Sequence, residues 1–115
     1  MSPSDKPLVW LAEIIKTPPL SAAARVEAGY FLRCLQHGVA VGMPHCRPMP
    51  SIAASVFELR LTDGEANAEW RIIFRIDRDA VVVAHFFQKK TQKTPKTVID
   101  LCSKRLADYD RSARR

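Results

Sequence analysis

Apolar and polar residues alternate in two short runs near the middle of the chain. In residues 56–61, Phe57, Leu59 and Leu61 fall on one face while Glu58 and Arg60 fall on the other. Residues 70–76 repeat the pattern, with Trp70, Ile72, Phe74 and Ile76 opposed to Arg71 and Arg75. A period of two predicts half-buried strands. The link from Thr62 to Glu69 contains Asp63-Gly64 and reads as a hairpin loop. Residues 80–87 are almost wholly apolar, as a central strand requires, and Asp77-Arg78-Asp79 supplies the turn before them.

Helical spacing flanks these strands. Ser21 can cap a helix running to about His37, in which Ala24, Ala28, Phe31, Leu32 and Leu35 form the buried stripe. Gly38 is its expected stop. Gly29 weakens the helix locally, and a close neighbour would explain it. A second helix has Thr94 as N-cap, Pro95 at its first position, and Val98, Leu101, Cys102 and Leu106 as its apolar stripe. The polar tail from Asp110 is expected to fray. The segment 42–50, with Pro44, Pro48 and Pro50, reads as an ordered, irregular connector. Residues Pro7 to Ile15 fit a helix face and a buried strand equally well, and Lys16-Thr17-Pro18-Pro19 ends either one.

The 115 residues make one domain, with a core from about 6 to 109 and a polar tail over 110–115. No apolar run approaches the roughly 20 residues that a membrane helix needs. The opening Met1–Lys6 lacks the apolar centre of a secretory signal, so the cytoplasm is the expected location and no membrane partner is expected. Cys34, Cys46 and Cys102 are an odd count with no CxxC spacing, so no disulfide framework is suggested. His45-Cys46 has no second ligand pair at zinc-like spacing, so neither a metal nor a cofactor is expected.

Charge changes this picture of an ordinary small domain. Residues 1–84 hold nine Lys/Arg and nine Asp/Glu, whereas residues 85–115 hold nine against three and so carry the whole net charge of +6. Four of those cations, Lys89, Lys90, Lys93 and Lys96, lie at the mouth of the second helix, where free N–H groups and the helix dipole already attract phosphate. Alternation further places Arg60, Arg71 and Arg75 on one sheet face if the two central runs pair. Three guanidinium groups there repel unless an anion sits among them, because Glu58 supplies only one counter-ion. The competing reading is a solvated face with loose ion pairs to Glu69, Asp77 and Asp79. Phe87 can stack on a base, although aromatics ending an apolar strand are commonly core.

No Ser-His-Asp set, paired carboxylates or glycine-rich phosphate loop stands out. RNA, however, carries its own nucleophile. Its cleavage needs a base for the 2′ proton, cations for the phosphorane, and a proton for the leaving 5′ oxygen. Arginine and lysine supply the second, and a lysine or His45 can move protons.

The run Glu58-Leu59-Arg60, the run Trp70–Arg75 and the stretch His85–Lys96 (HFFQKKTQKTPK), with the helix segment Arg25–Tyr30, resemble the RelE/ParE superfamily of type II toxins. The closest likeness is to its phage-derived, HigB-type branch, over about Lys6 to Tyr109. The resemblance implies an α+β fold: a small antiparallel, mixed-edge sheet, an N-terminal helix packed on it, a C-terminal helix, and a first strand near Pro7–Glu13. It implies metal-independent cleavage of mRNA on the translating ribosome. The implied partner is an antitoxin, commonly a helix-turn-helix protein encoded next door. Arg60, Arg71 and Arg75 match the basic sheet positions, and Lys89 and Lys90 match the lysine motif. Some relatives use a C-terminal tyrosine or histidine near the substrate, for which Tyr109 is the nearby candidate, and Lys93, Lys96 and Phe87 extend the RNA-binding set. ParE-like members share the fold but poison DNA gyrase, and an inactive prophage remnant that only binds its antitoxin is a third possibility.

Overall fold

The computed structural model describes residues 5–12, 19–42 and 44–113. Its elements run β1 (Leu8–Trp10), α1 (Ala22–Gln36), β2 (Cys46–Pro48), β3 (Val56–Asp63), β4 (Ala68–Ile76), β5 (Val81–Gln88) and α2 (Lys96–Ala113). The fold is the expected α+β arrangement. Five strands lie in the order β1-β5-β4-β3-β2, with β1 parallel to β5 and the other pairs antiparallel. The two-way reading of the N-terminal segment resolves to a three-residue strand. Residues 13–15 of that segment, and most of the Lys16–Pro19 break, lie outside the described residues, as do Met1–Ser4.

Each face of the sheet carries one helix, so there are two cores. On one face α1 packs Ala24, Ala28, Leu32 and Leu35 against Leu59, Ile72, Phe74, Val81 and Val83. On the other, α2 packs Cys102 and Leu106 against Val56, Ile73, Val82 and Ala84. The face that alternation marks as polar is therefore only partly so, and α2 covers its centre.

Helix α1 begins and ends as its sequence requires. Ser21 Oγ accepts the Ala24 N–H at 3.2 Å, and Gly38 follows the helix with φ of 79°, in the left-handed region. The Ser21 N–H donates to Asp63 Oδ2 at 2.8 Å, and Asp63 Oδ1 accepts from Ala66 N in the hairpin turn. One buried carboxylate thus joins the start of α1 to the end of β3, and these bonds hold it below the usual carboxylate range. No neighbour crowds Gly29 among the described residues: a Cβ there would meet nothing within 4 Å.

Three local expectations change. The proline-rich connector contains a short edge strand, β2, in which Pro48 is tolerated because an edge leaves ladder positions unpaired. Helix α2 does not take Thr94 as its cap. The first helical bonds, from Val98 and Ile99, go to the Pro95 carbonyl, and the Thr94 hydroxyl is used elsewhere. Past Asp110 the chain stays helical through Ala113, because Asp110 is held to the sheet by Arg75.

Candidate functional site

Register brings the site together. Arg60 and Arg71 are direct cross-strand partners, so they share a face with Glu58 two residues away. On β5, Ile73 faces His85 but Phe74 faces Val83, leaving Ala84 as an extra residue, a β-bulge. The bulge resets the alternation. Val81 and Val83 belong to the α1-side core, whereas Phe87 lies on the α2 side with Arg71 as its cross-strand partner. Unbroken parity along β5 would have placed all three on one face.

Glu58 is 1% exposed and is the hub of the site. Its Oε1 lies 3.2 Å from Arg47 Nε and 3.5 Å from Arg71 Nε, and its Oε2 accepts the Thr94 hydroxyl at 2.6 Å. Three further elements therefore converge on one strand residue: β2 through Arg47, β4 through Arg71, and the approach to α2 through Thr94. A cavity of about 270 Å³ opens above it. Phe87, Pro95 and Val98 supply apolar wall, and Arg71, Lys89, Lys90 and Lys93 set four cations against the single carboxylate.

Arg71 is 3% exposed, and its Nη1 donates to the Trp70 carbonyl at 2.9 Å. Burial, then the charge of Arg60, push its pKa down, and Glu58 and Glu69 offset this only in part. An anion in the cavity would stabilise that cation. The Arg60 side chain makes no hydrogen bond or ion pair with the described residues, although its backbone N–H donates to the His45 carbonyl at 2.7 Å. The side chains of Lys89, Lys90 and Lys93 likewise make none with the described residues. The loop is pinned at both ends, by Lys89 N–H to the Glu69 carbonyl at 2.7 Å and by Thr94 to Glu58.

Other residues singled out in the sequence lie apart from this cavity. Arg75 is on the same face but donates to Asp77 at 2.6 and 2.9 Å and to Asp110 at 3.0 and 2.7 Å. These two carboxylates hold its pKa well above the usual arginine value. The arrangement clamps the C-terminal end of α2 to β4. Arg75→Ala is expected to lower stability by about 1–3 kcal/mol, read as a lower urea midpoint, while ligand binding at the cavity by the folded protein is unchanged. Tyr109 packs into the α2-side core one residue before Asp110, at the far end of the helix from the cavity. His45 is exposed with its ring against Phe31 of α1, at 5.0 Å between centroids. Lys96 pairs with Asp100 on the outer surface of α2.

Two residues enter the site that the sequence did not single out, Glu58 as more than a counter-ion and Arg47. Their signal was in Glu58 itself, a carboxylate among arginines on an alternating strand. His85 is half-buried, with Nδ1 3.1 Å from Arg105 and its ring stacked on Phe87. Burial, then Arg105, hold its pKa below the ordinary value, which favours the neutral imidazole.

Among the described residues no helix is long and apolar enough to cross a membrane. In comparison with known proteins, a family model described as phage derived protein Gp49-like matches residues 18–107. No curated protein and no solved structure matches the chain.

Proposed function

This chain belongs to the phage-derived Gp49-like family, and from that premise we propose that it is the toxin of a type II toxin–antitoxin pair that cleaves mRNA. The family is compatible with a toxin-like role. The observation that carries the nuclease reading is Glu58, a buried carboxylate flanked by Arg71 and Arg47 beneath a rim of unpaired lysines.

The chemistry follows from what RNA supplies. Glu58 accepts the proton of the 2′-hydroxyl as that oxygen attacks the adjacent phosphorus. Arg71, with Lys89 and Lys90 at the rim, stabilises the charge of the phosphorane. The bond to the 5′ oxygen breaks, leaving a 2′,3′-cyclic phosphate and a 5′-hydroxyl, and in this proposal Lys90, on the cavity rim, protonates the leaving oxygen. Lys93 and the N-terminal end of α2 hold neighbouring phosphates. Phe87 offers an apolar surface to a base. The ribosome as the place of cleavage, and an adjacently encoded antitoxin as the partner that silences it, belong to the same proposal.

Induced expression is expected to arrest growth and leave messages cut within reading frames, with 5′-hydroxyl ends. Intact messages and normal translation in arrested cells would end the nuclease reading. Loss of gyrase supercoiling in vitro would then assign a gyrase poison instead.

A further inference from the structure

The two edges of the sheet are built differently. The β2 edge carries Pro48, which has no N–H, and Arg47, and both features discourage a further strand. The β1 edge is Leu8-Val9-Trp10, wholly apolar. Val81 N–H donates to the Pro7 carbonyl at 3.0 Å and Leu11 N–H donates to the Val83 carbonyl at 2.8 Å, so alternate residues 7, 9 and 11 turn towards β5. Leu8 and Trp10 turn their N–H and C=O groups the other way, where the described residues offer no partner.

That edge borders a groove against α1 of about 350 Å³, floored by Leu8, Trp10, Ala28 and Leu32. Gly29 keeps the groove open. Val26, 69% exposed, lines it, and Tyr30, 65% exposed, follows one helical turn on. Arg25 and Arg33 flank it, exposed and with no ion pair among the described residues. Among the described residues, an edge without a strand partner, an exposed apolar groove wall and two cations without ion pairs thus meet in one place.

We infer that the β1 edge and its α1 groove are a docking surface for an extended segment of another protein, one in which apolar residues alternate with carboxylates. Main-chain bonds to Leu8 and Trp10 add it as a sixth strand, its apolar side chains enter the groove, and its carboxylates meet Arg25 and Arg33. A second copy of this chain fits poorly, because its own β1, Leu8-Val9-Trp10, carries no carboxylate to meet Arg25 and Arg33 and each copy carries +6. The groove lies on the α1 face and the Glu58 cavity on the α2 face, so the docked segment leaves the cavity open. The inference is independent of the RNA-cleavage reading.

The test is amide hydrogen exchange of the full chain with a short synthetic peptide alternating valine and glutamate. A peptide with lysine in place of glutamate is the control. The expected result is new protection at Leu8 and Trp10 with the acidic peptide. Arg25→Glu combined with Arg33→Glu, both changes at exposed positions, is expected to weaken it roughly tenfold or more. No protection at peptide concentrations on the order of millimolar, or equal binding of the lysine peptide, would overturn the proposal. So would protection of Leu8 and Trp10 in the free chain together with a dimer mass, which would show that a second copy already covers the edge.

Discussion

Glu58→Gln is expected to reduce RNA cleavage by about 10²- to 10⁴-fold with the fold retained. Glutamine preserves the shape and can still accept from Thr94, but it takes no proton from a 2′-hydroxyl. It also leaves Arg71 without its buried counter-charge, so some stability is lost, and activity should be compared at equal folded fraction by circular dichroism. Glu58→Asp separates the two effects, since it keeps the charge while drawing it back by one methylene. If Glu58→Gln cleaves as fast as the parent chain, Glu58 is only the counter-ion of Arg71 and the proton acceptor lies elsewhere. Arg71→Lys is the better probe of the cation. Truncating a side chain that is 3% exposed to alanine would confuse lost chemistry with lost packing.

Leu106→Ala is expected to cost about 2–5 kcal/mol, a large share of the roughly 5–15 kcal/mol that stabilises a domain of this kind. Helix α2 is attached to the sheet chiefly by Cys102 and Leu106, its two buried residues, with Val98 and Tyr109 partly buried beside them. The loss should appear as a lower urea midpoint with the slope unchanged. Because Pro95 and Val98 belong to the cavity wall, the variant should also bind RNA more weakly while it is still folded. A midpoint within experimental error of the parent would mean that α2 is held mainly by the Arg75–Asp110 clamp.

Local rules foretold the local features. Ser21 and Gly38 bound α1, alternation found β3 and β4 and put Arg60, Arg71 and Arg75 on one face, and the lysine run does border a cavity. The failures share a cause, which is contact between residues far apart in the chain. Asp110, 35 residues from Arg75, diverts that arginine from the cavity, and Glu58, 36 residues from Thr94, draws its hydroxyl away from capping α2. The bulge at Ala84 is equally invisible to periodicity, because an apolar run reads the same with or without an extra residue. Strand β2 escaped because Pro44 and Pro48 read as loop punctuation, although Pro48 costs an edge strand little.

If RNA is the substrate, the Thr94–Glu58 bond shapes how it enters. A hydroxyl already donates to the carboxylate at 2.6 Å, the same chemical relationship that the cleavage reading asks of the ribose. The protein thus sets a placeholder on its own acceptor. On the cleavage reading, an arriving 2′-hydroxyl would exchange one alcohol for another instead of stripping water from a buried anion, and the outgoing threonine would loosen the basic loop as the sugar seats. Admission and recognition would then be a single event, and a deoxyribose, with no 2′ alcohol to offer, would leave the placeholder where it is.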